Sequence, residues 1–275
     1  MVGALSTCNA PLRPERHAIL MKPPHHPTLG WKEWREAIAA QMDRAGSVGT
    51  GSKPADQEDI HQFRAALKGA RGLLRLSPPS IGLQAGTIRK EIATIARTLA
   101  RIRDQHVGME TLSTFSKTNK TAPSGELSVK ATAALMAARM RLAHLRLPLS
   151  DLPMPNEKPS VLLKAIKHGQ KRLNKRLPED WETADVAAIH AYRSALVAHE
   201  CQMKFLSTQT GRPGKAKLEK LGKLRRYLGE FNDIARLLAA DNKKSLRSQF
   251  EDWDAILSRA KKRQTALRQK LKKRL

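Results

Sequence analysis

Residues 61–75 read HQFRAALKGARGLLR, and their spacing governs how the rest of the chain is read. Ile60, Phe63, Leu67, Ala70 and Leu74 step by 3, 4, 3 and 4, the spacing at which a helix buries one apolar face. His61, Arg64, Lys68, Arg71 and Arg75 repeat those steps one position later. At about 100° per residue the five polar side chains share an arc of roughly 80°. One face packs, and the adjoining face is a row of cations. Like charges one turn apart repel by roughly a few tenths of a kcal/mol per pair. The row makes physical sense if a polyanion lies along it.

The whole chain carries the same bias. Its 275 residues, enough for one large or two modest domains, hold 51 Lys+Arg against 25 Asp+Glu, a formal charge of +26. Such an excess speaks about partners, not fold: nucleic acid, polyphosphate or an anionic membrane surface. Hydrophobic residues make up 40% of the chain in periodic runs, which argues for folded helices over disorder. The two cysteines, Cys8 and Cys201, are too few for a disulfide framework or a zinc site, so a reducing cytoplasm is the expected setting. No apolar run approaches the ~18 residues of a membrane-spanning helix.

Gly, Pro, Ser and Thr punctuate the chain near 46–54, 77–86, 116–126, 148–159 and 207–214. The spacing predicts helices at 30–45, 56–76, 87–115 and 127–147, then at 160–177, 184–206, 215–241 and 244–273. No segment alternates as a strand does, so the expected class is all-α. The two sets of four are related at an offset of 129, where Ile60/Ile189, His61/His190, Arg64/Arg193, Ala66/Ala195 and Leu67/Leu196 are identical pairs. The same offset aligns Leu99–Asp104 with Leu228–Asp233, and each His precedes its Asp by 43 residues. Two separated patches in one register indicate an internal duplication. The expected organisation is an irregular segment 1–29, a first four-helix repeat 30–150 and a second 151–275, packed about a pseudo-two-fold axis.

A lone helical His is more often structural than functional, but His61 and His190 recur in register, each three residues before an Arg. That favours a shared role in donating to an anion or anchoring the helix. Asp104 and Asp233 read best as salt-bridge partners that orient the basic row. No paired carboxylate, phosphate loop or activated nucleophile accompanies them, so no enzyme is expected. Further cations line other helices: Arg97, Arg101 and Arg103 in the first repeat, Lys164, Lys167, Lys171, Arg172 and Lys175 opening the second, and Lys217, Lys220, Lys223, Arg225 and Arg226 later. The run from Arg259 to Arg274 reads as an exposed basic helix that raises general anion affinity.

The paired His-x-x-Arg helices, His61–Arg71 and His190–Arg193, each followed at 43 residues by Arg101-Ile102-Arg103-Asp104 or Glu230-Phe231-Asn232-Asp233, resemble the CHAD family of histidine-marked helical domains. The resemblance implies two pseudo-symmetric four-helix bundles around a basic central cavity. It also implies binding of inorganic polyphosphate by His, Arg and Lys side chains, with no cofactor, and in some members association with polyphosphate granules. The CYTH triphosphatase domain fused to some members has no counterpart here, so a stand-alone binding module is expected. The residues that would hold the ligand are His61, Arg64, Lys68, Arg71, Arg75, Arg101, Arg103, Lys164, Lys167, Lys171, Arg172, Lys175, His190, Arg193, Lys204, Lys223 and Arg226. The second repeat departs from the pattern, with Val197 and Glu200 where cations are due. It should contribute fewer contacts than the first.

The alternative partner is nucleic acid, bound without sequence preference. Aromatics are only 4% of the chain and none stands in the basic row, which leaves base stacking without a platform.

Overall fold

The structure, a computed structural model, describes residues 29–51, 53–116, 125–239, 247 and 251–274. The expected irregular segment, with His25 and His26, lies outside the described residues up to position 28. Among the described residues every regular element is a helix, and the fold is all-α.

Helix α1 (Trp31–Ser47) buries Trp31, Trp34, Ile38, Met42 and Ala45, a single stripe of the helical period. Its Trp34 indole donates 2.9 Å to the carbonyl of Leu73, which fixes α1 against the end of α2 (Gln57–Leu74). Helix α2 starts with a capping box: Asp56 accepts from the Asp59 amide, and the Asp59 side chain accepts from the Asp56 amide. Ser77-Pro78-Pro79 closes it, because proline cannot continue the helix. The stripe Ile60, Phe63, Leu67, Ala70 and Leu74 is wholly buried, as its spacing requires.

A short 3-10 turn (Pro79–Ile81) leads into α3 (Gly82–Thr98), which breaks at Leu99 before α4 (Ala100–Phe115). The sequence reading of one helix over 87–115 is therefore corrected at both ends of α3. The chain becomes helical at 82, and it bends at Leu99 (φ −90°, ψ 0°). Two forces act at the bend. Thr98 returns its hydroxyl to the carbonyl of Ile95, competing with the backbone ladder. Leu99 is sealed in one core, with Ile102 of α4 still packed against it, while Leu112 of α4 enters the other.

The later elements are α5 (Gly125–Ala143), a short α6 (Arg146–Ser150), α7 (Ser160–Lys175), α8 (Val186–Thr210), α9 (Lys215–Leu238) and α10 (Trp253–Lys272). Helix α8 ends at Gly211, whose φ of 68° lies in the left-handed region that a side chain disfavours. One core gathers α1, α2, α3, α5 and α6 together with Leu162 and Ile166 of α7 and Met203 and Phe205 of α8. The other gathers Leu112, Leu173, Trp181, the first half of α8, α9 and α10. Each core thus draws on both sides of residue 150.

The C-terminal basic run differs from its sequence reading. Helix α10 is not a free cationic arm: it buries Trp253, Ile256, Ala260, Leu267 and Leu271. Its arginines are used internally. Arg259 donates to the Phe115 carbonyl, Arg263 pairs with Glu230, and Arg268 donates to the carbonyls of Trp181, Glu182 and Ala184. The apolar residues between the cations were spaced for packing, and packing dominates.

Candidate anion-binding site

Helices α2 and α8 meet at Gly72, which sits against the backbone of Ala198 and the side chain of Cys201. The missing side chain permits the close approach. Gln202 seals the contact by donating 3.0 Å to the Gly72 carbonyl. This crossing turns the charged face of α2 toward the helices behind it. His61 stays exposed, but Arg64, Lys68, Arg71 and Arg75 are half-buried.

The row then faces more cations. Arg64 donates to the Ala96 carbonyl at the end of α3, with Arg103 of α4 close by. Lys68 is brought down to about 7, by burial first and then by the charges of Arg193, Arg64 and Arg103 against a partial counterweight from Asp233. Arg71 lies beside Arg89 and Arg97 of α3, and its Nε is buried with no hydrogen-bond partner. Burial, then Arg89, Arg71, Arg172 and Arg176, brings Arg75 down to about 10, which leaves it charged at neutral pH. Arg193 of α8 is lowered by burial too, and its Nε is likewise without a partner. Among the described residues none of Lys68, Arg71 and Arg75 forms an ion pair.

Two aspartates close one end. Arg103 reaches Asp104 at 3.1 Å and Asp233 at 3.0 Å, and Arg236 also pairs with Asp104. The salt-bridge role read for these residues matches those contacts. Burial raises the Asp104 carboxyl, and the neighbouring Arg103 and Arg64 work against that rise.

The structure therefore brings together Arg64, Lys68, Arg71, Arg75, Arg103 and Arg193 from the residues expected at the site, with the exposed Arg172 near Arg75 at their edge. It leaves His61, His190, Arg101, Lys164, Lys167, Lys171, Lys175, Lys223 and Arg226 exposed on the surface. Lys204 is exposed and paired with Glu200 at 2.9 Å. Arg89 and Arg176 were not singled out from the sequence. Arg89 follows the buried Ile88, and Arg97 follows the buried Ala96. That is the same one-step lag of cation behind apolar stripe that marks α2, and it would have found Arg89. Arg176 lies past the end of α7, where periodicity gives no direction.

A half-buried lysine among arginines is a source of stored repulsion. The unfolded chain holds the Lys68 proton up to about 10.4, while the folded chain releases it from about 7. Across that window the unfolded state binds more protons, so stability rises with pH. Binding of an anion, which favours the ammonium form, weakens over the same window. Lys68→Met is expected to flatten both slopes. Thermal midpoints and anion affinities measured from pH 6.5 to 9.5 check this, and identical slopes in the two proteins would refute it.

Among the described residues no group of three His, Cys, Asp or Glu side chains is placed to hold a metal ion. No helix among them is long and apolar enough to cross a membrane. Fold and site together define an all-helical protein with half-buried, mutually repelling cations gathered where its helices cross. The model of the CHAD domain family matches residues 36–241, and the chain belongs to that family. The crystal structure of the CHAD domain from the plant Ricinus communis is similar to it at 18% identity with a TM-score of 0.47, covering 88% of this chain and 86% of that one. A search of the curated proteins finds no match.

Proposed function

We propose that this chain binds inorganic polyphosphate along the cation-lined face of α2, acting as a binding module without catalysis. The observation that carries the reading is the row Lys68, Arg71 and Arg75, half-buried and without an ion pair among the described residues. Buried polar atoms without partners are costly, and like charges in a poorly solvated place are costlier. An incoming chain of phosphates removes both costs at once. Arg71 and Arg193, each with an unpartnered Nε, can offer their planar forks to phosphate oxygens, and Lys68 adds a point charge.

Further support comes from the arrangement of residues 129 apart. Gly72 packs against Cys201, and Asp104 and Asp233 share Arg103. Contacts of that kind fit two copies of one unit meeting at an axis, with the basic cavity of the family between them. The aromatic side chains add a negative argument against single-stranded nucleic acid. Trp31, Trp34, Trp181, Trp253, Phe63, Phe205, Phe231 and Tyr192 are all buried, so they offer no stacking surface. The exposed lysines of α7 favour, as a second and weaker activity, non-specific contact with nucleic acid. Cytoplasmic polyphosphate granules would be the natural place for the main activity.

Equilibrium binding of long-chain polyphosphate, duplex DNA and single-stranded RNA at matched charge and salt tests the reading. Polyphosphate is expected to bind at least tenfold tighter than DNA near ~0.15 M salt, a gap of about 1.4 kcal/mol. Equal affinities would leave only diffuse electrostatics.

A further inference from the structure

Glu200 stands 129 positions after Arg71, at the place in α8 that the cation row of α2 assigns to an arginine. It is 3% exposed, and both carboxylate oxygens are taken: Oε1 by Lys204 at 2.9 Å and Oε2 by Arg225 of α9 at 2.8 Å. Those two cations sit at the rim, with side chains 58% and 40% exposed, so they would otherwise be available to an anion. Gly222 passes close by, where an added Cβ would lie 3.9 Å from Oε1. The charges around the Cys201 thiol include Glu200, Lys204, Arg225 and Arg75, which places this cluster beside the α2 row at the helix crossing.

We propose that Glu200 is a built-in counter-anion that closes the second half's phosphate track beyond Arg193, holding Lys204 and Arg225 so that polyphosphate follows the α2 row. The proposal rests on the polyphosphate reading above and deepens it. A carboxylate with two cationic partners is the local substitute for a phosphate group: the same charge-assisted bonds are made, and no external anion is needed to make them. On the α2 side, Arg71 has Arg89 and Arg97 for charged neighbours and, among the described residues, no ion pair. On the α8 side, the equivalent position is already satisfied. The duplicated framework therefore carries one open and one closed track, and a linear polyanion has one path across the helix crossing.

The test is the salt dependence of polyphosphate binding, which counts the cations that meet phosphate. In Glu200→Gln the amide keeps shape and one hydrogen bond but releases two charges. The slope of log affinity against log salt is expected to steepen by about 1.4, at roughly 0.7 per cation, with several-fold tighter binding at low salt. A helical, cooperatively melting Glu200→Gln protein with an unchanged slope would overturn the proposal. Should that variant fail to fold, Arg225→Ala in the otherwise native chain decides. It is expected to change the slope by less than a third of the change caused by Arg71→Ala, and equal changes would overturn the proposal. Failure of the native chain to prefer polyphosphate over DNA is a separate result, and it would remove the functional reading and this inference together.

Discussion

Alanine at Arg64, Lys68 and Arg71 together is expected to weaken polyphosphate binding by about two orders of magnitude at ~0.1 M salt. Each charge-assisted bond to phosphate is worth about 1.5–3 kcal/mol. Part of that is given back, because removing a cation relieves repulsion among those that remain. A net loss of about 3 kcal/mol corresponds to roughly a hundredfold, and three lost contacts should lower the salt slope by about 2. The accompanying change in stability has the opposite sense. Lys68 is pushed down to about 7 by burial and by its arginine neighbours, so the empty native state is strained by these charges. The variant should melt no lower than the native chain, even though Arg64 loses its bond to Ala96. Titration calorimetry with long-chain polyphosphate and a thermal melt check both halves. The proper control is Lys261→Ala with Lys262→Ala, two exposed positions on α10. Deleting the end of α10 would take Leu267 and Leu271 out of the second core and confound the result. An equal loss of affinity from the control pair would mean that binding follows net charge, without a site.

Leucine at Gly72 is expected to destabilise the fold by about 4 kcal/mol. A Cβ there would stand 3.1 Å from the Cys201 Cβ and 3.3 Å from the Ala198 carbonyl oxygen, closer than packed atoms ordinarily sit. Three further carbons must then push α2 and α8 apart, an overpacking cost of about 3 kcal/mol at the upper end of the usual range. The bond from Gln202 to the Gly72 carbonyl is lost as well, for about another 1 kcal/mol. Function should fall with stability, because the same crossing sets Lys68 beside Arg193 and Arg75 beside the α8 cluster. Gly86→Ala is the contrasting case. Its Cβ would meet open space on α3, and it should raise stability by about 0.5–1 kcal/mol through helix propensity alone. Urea denaturation of the two variants separates these outcomes, and a mild effect at Gly72 would show that the crossing tolerates adjustment.

The contrast between α2 and the α3–α4 stretch shows what periodicity can reveal. In α2 the apolar stripe and the cation row share one period, so both the buried and the charged face could be read from eighteen residues. At Leu99 the one local sign of a break was Thr98, whose hydroxyl returns to the Ile95 carbonyl, and the apolar spacing on either side is ordinary. The chain also passes there from one core to the other, with Leu99 and Ile102 on the first and Leu112 in the second, and core membership depends on segments more than a hundred residues away. The same limit applies to α10. Its seven basic residues outweighed the apolar spacing in the sequence reading, yet Trp253, Ile256, Ala260, Leu267 and Leu271 bring it into the second core.

The candidate site was legible to a similar depth. Arg64, Lys68, Arg71, Arg75 and Arg193 were found from a repeated motif, and the departure at Val197 and Glu200 was visible in the same alignment. Exposure was not legible. His61 and His190, the most regular feature of the motif, end on the surface, while Arg89, marked only by its place one step behind Ile88, faces Arg71 and Arg75. What the sequence determined by itself was the helical class, the family and the row of cations, because each follows from spacing along one chain. The tertiary structure decided which cations lose their water, which meet only other cations, and which are cancelled by Glu200 or Asp233. Those are properties of distances between helices, and electrostatic energy depends on such distances and on burial, not on position in the sequence.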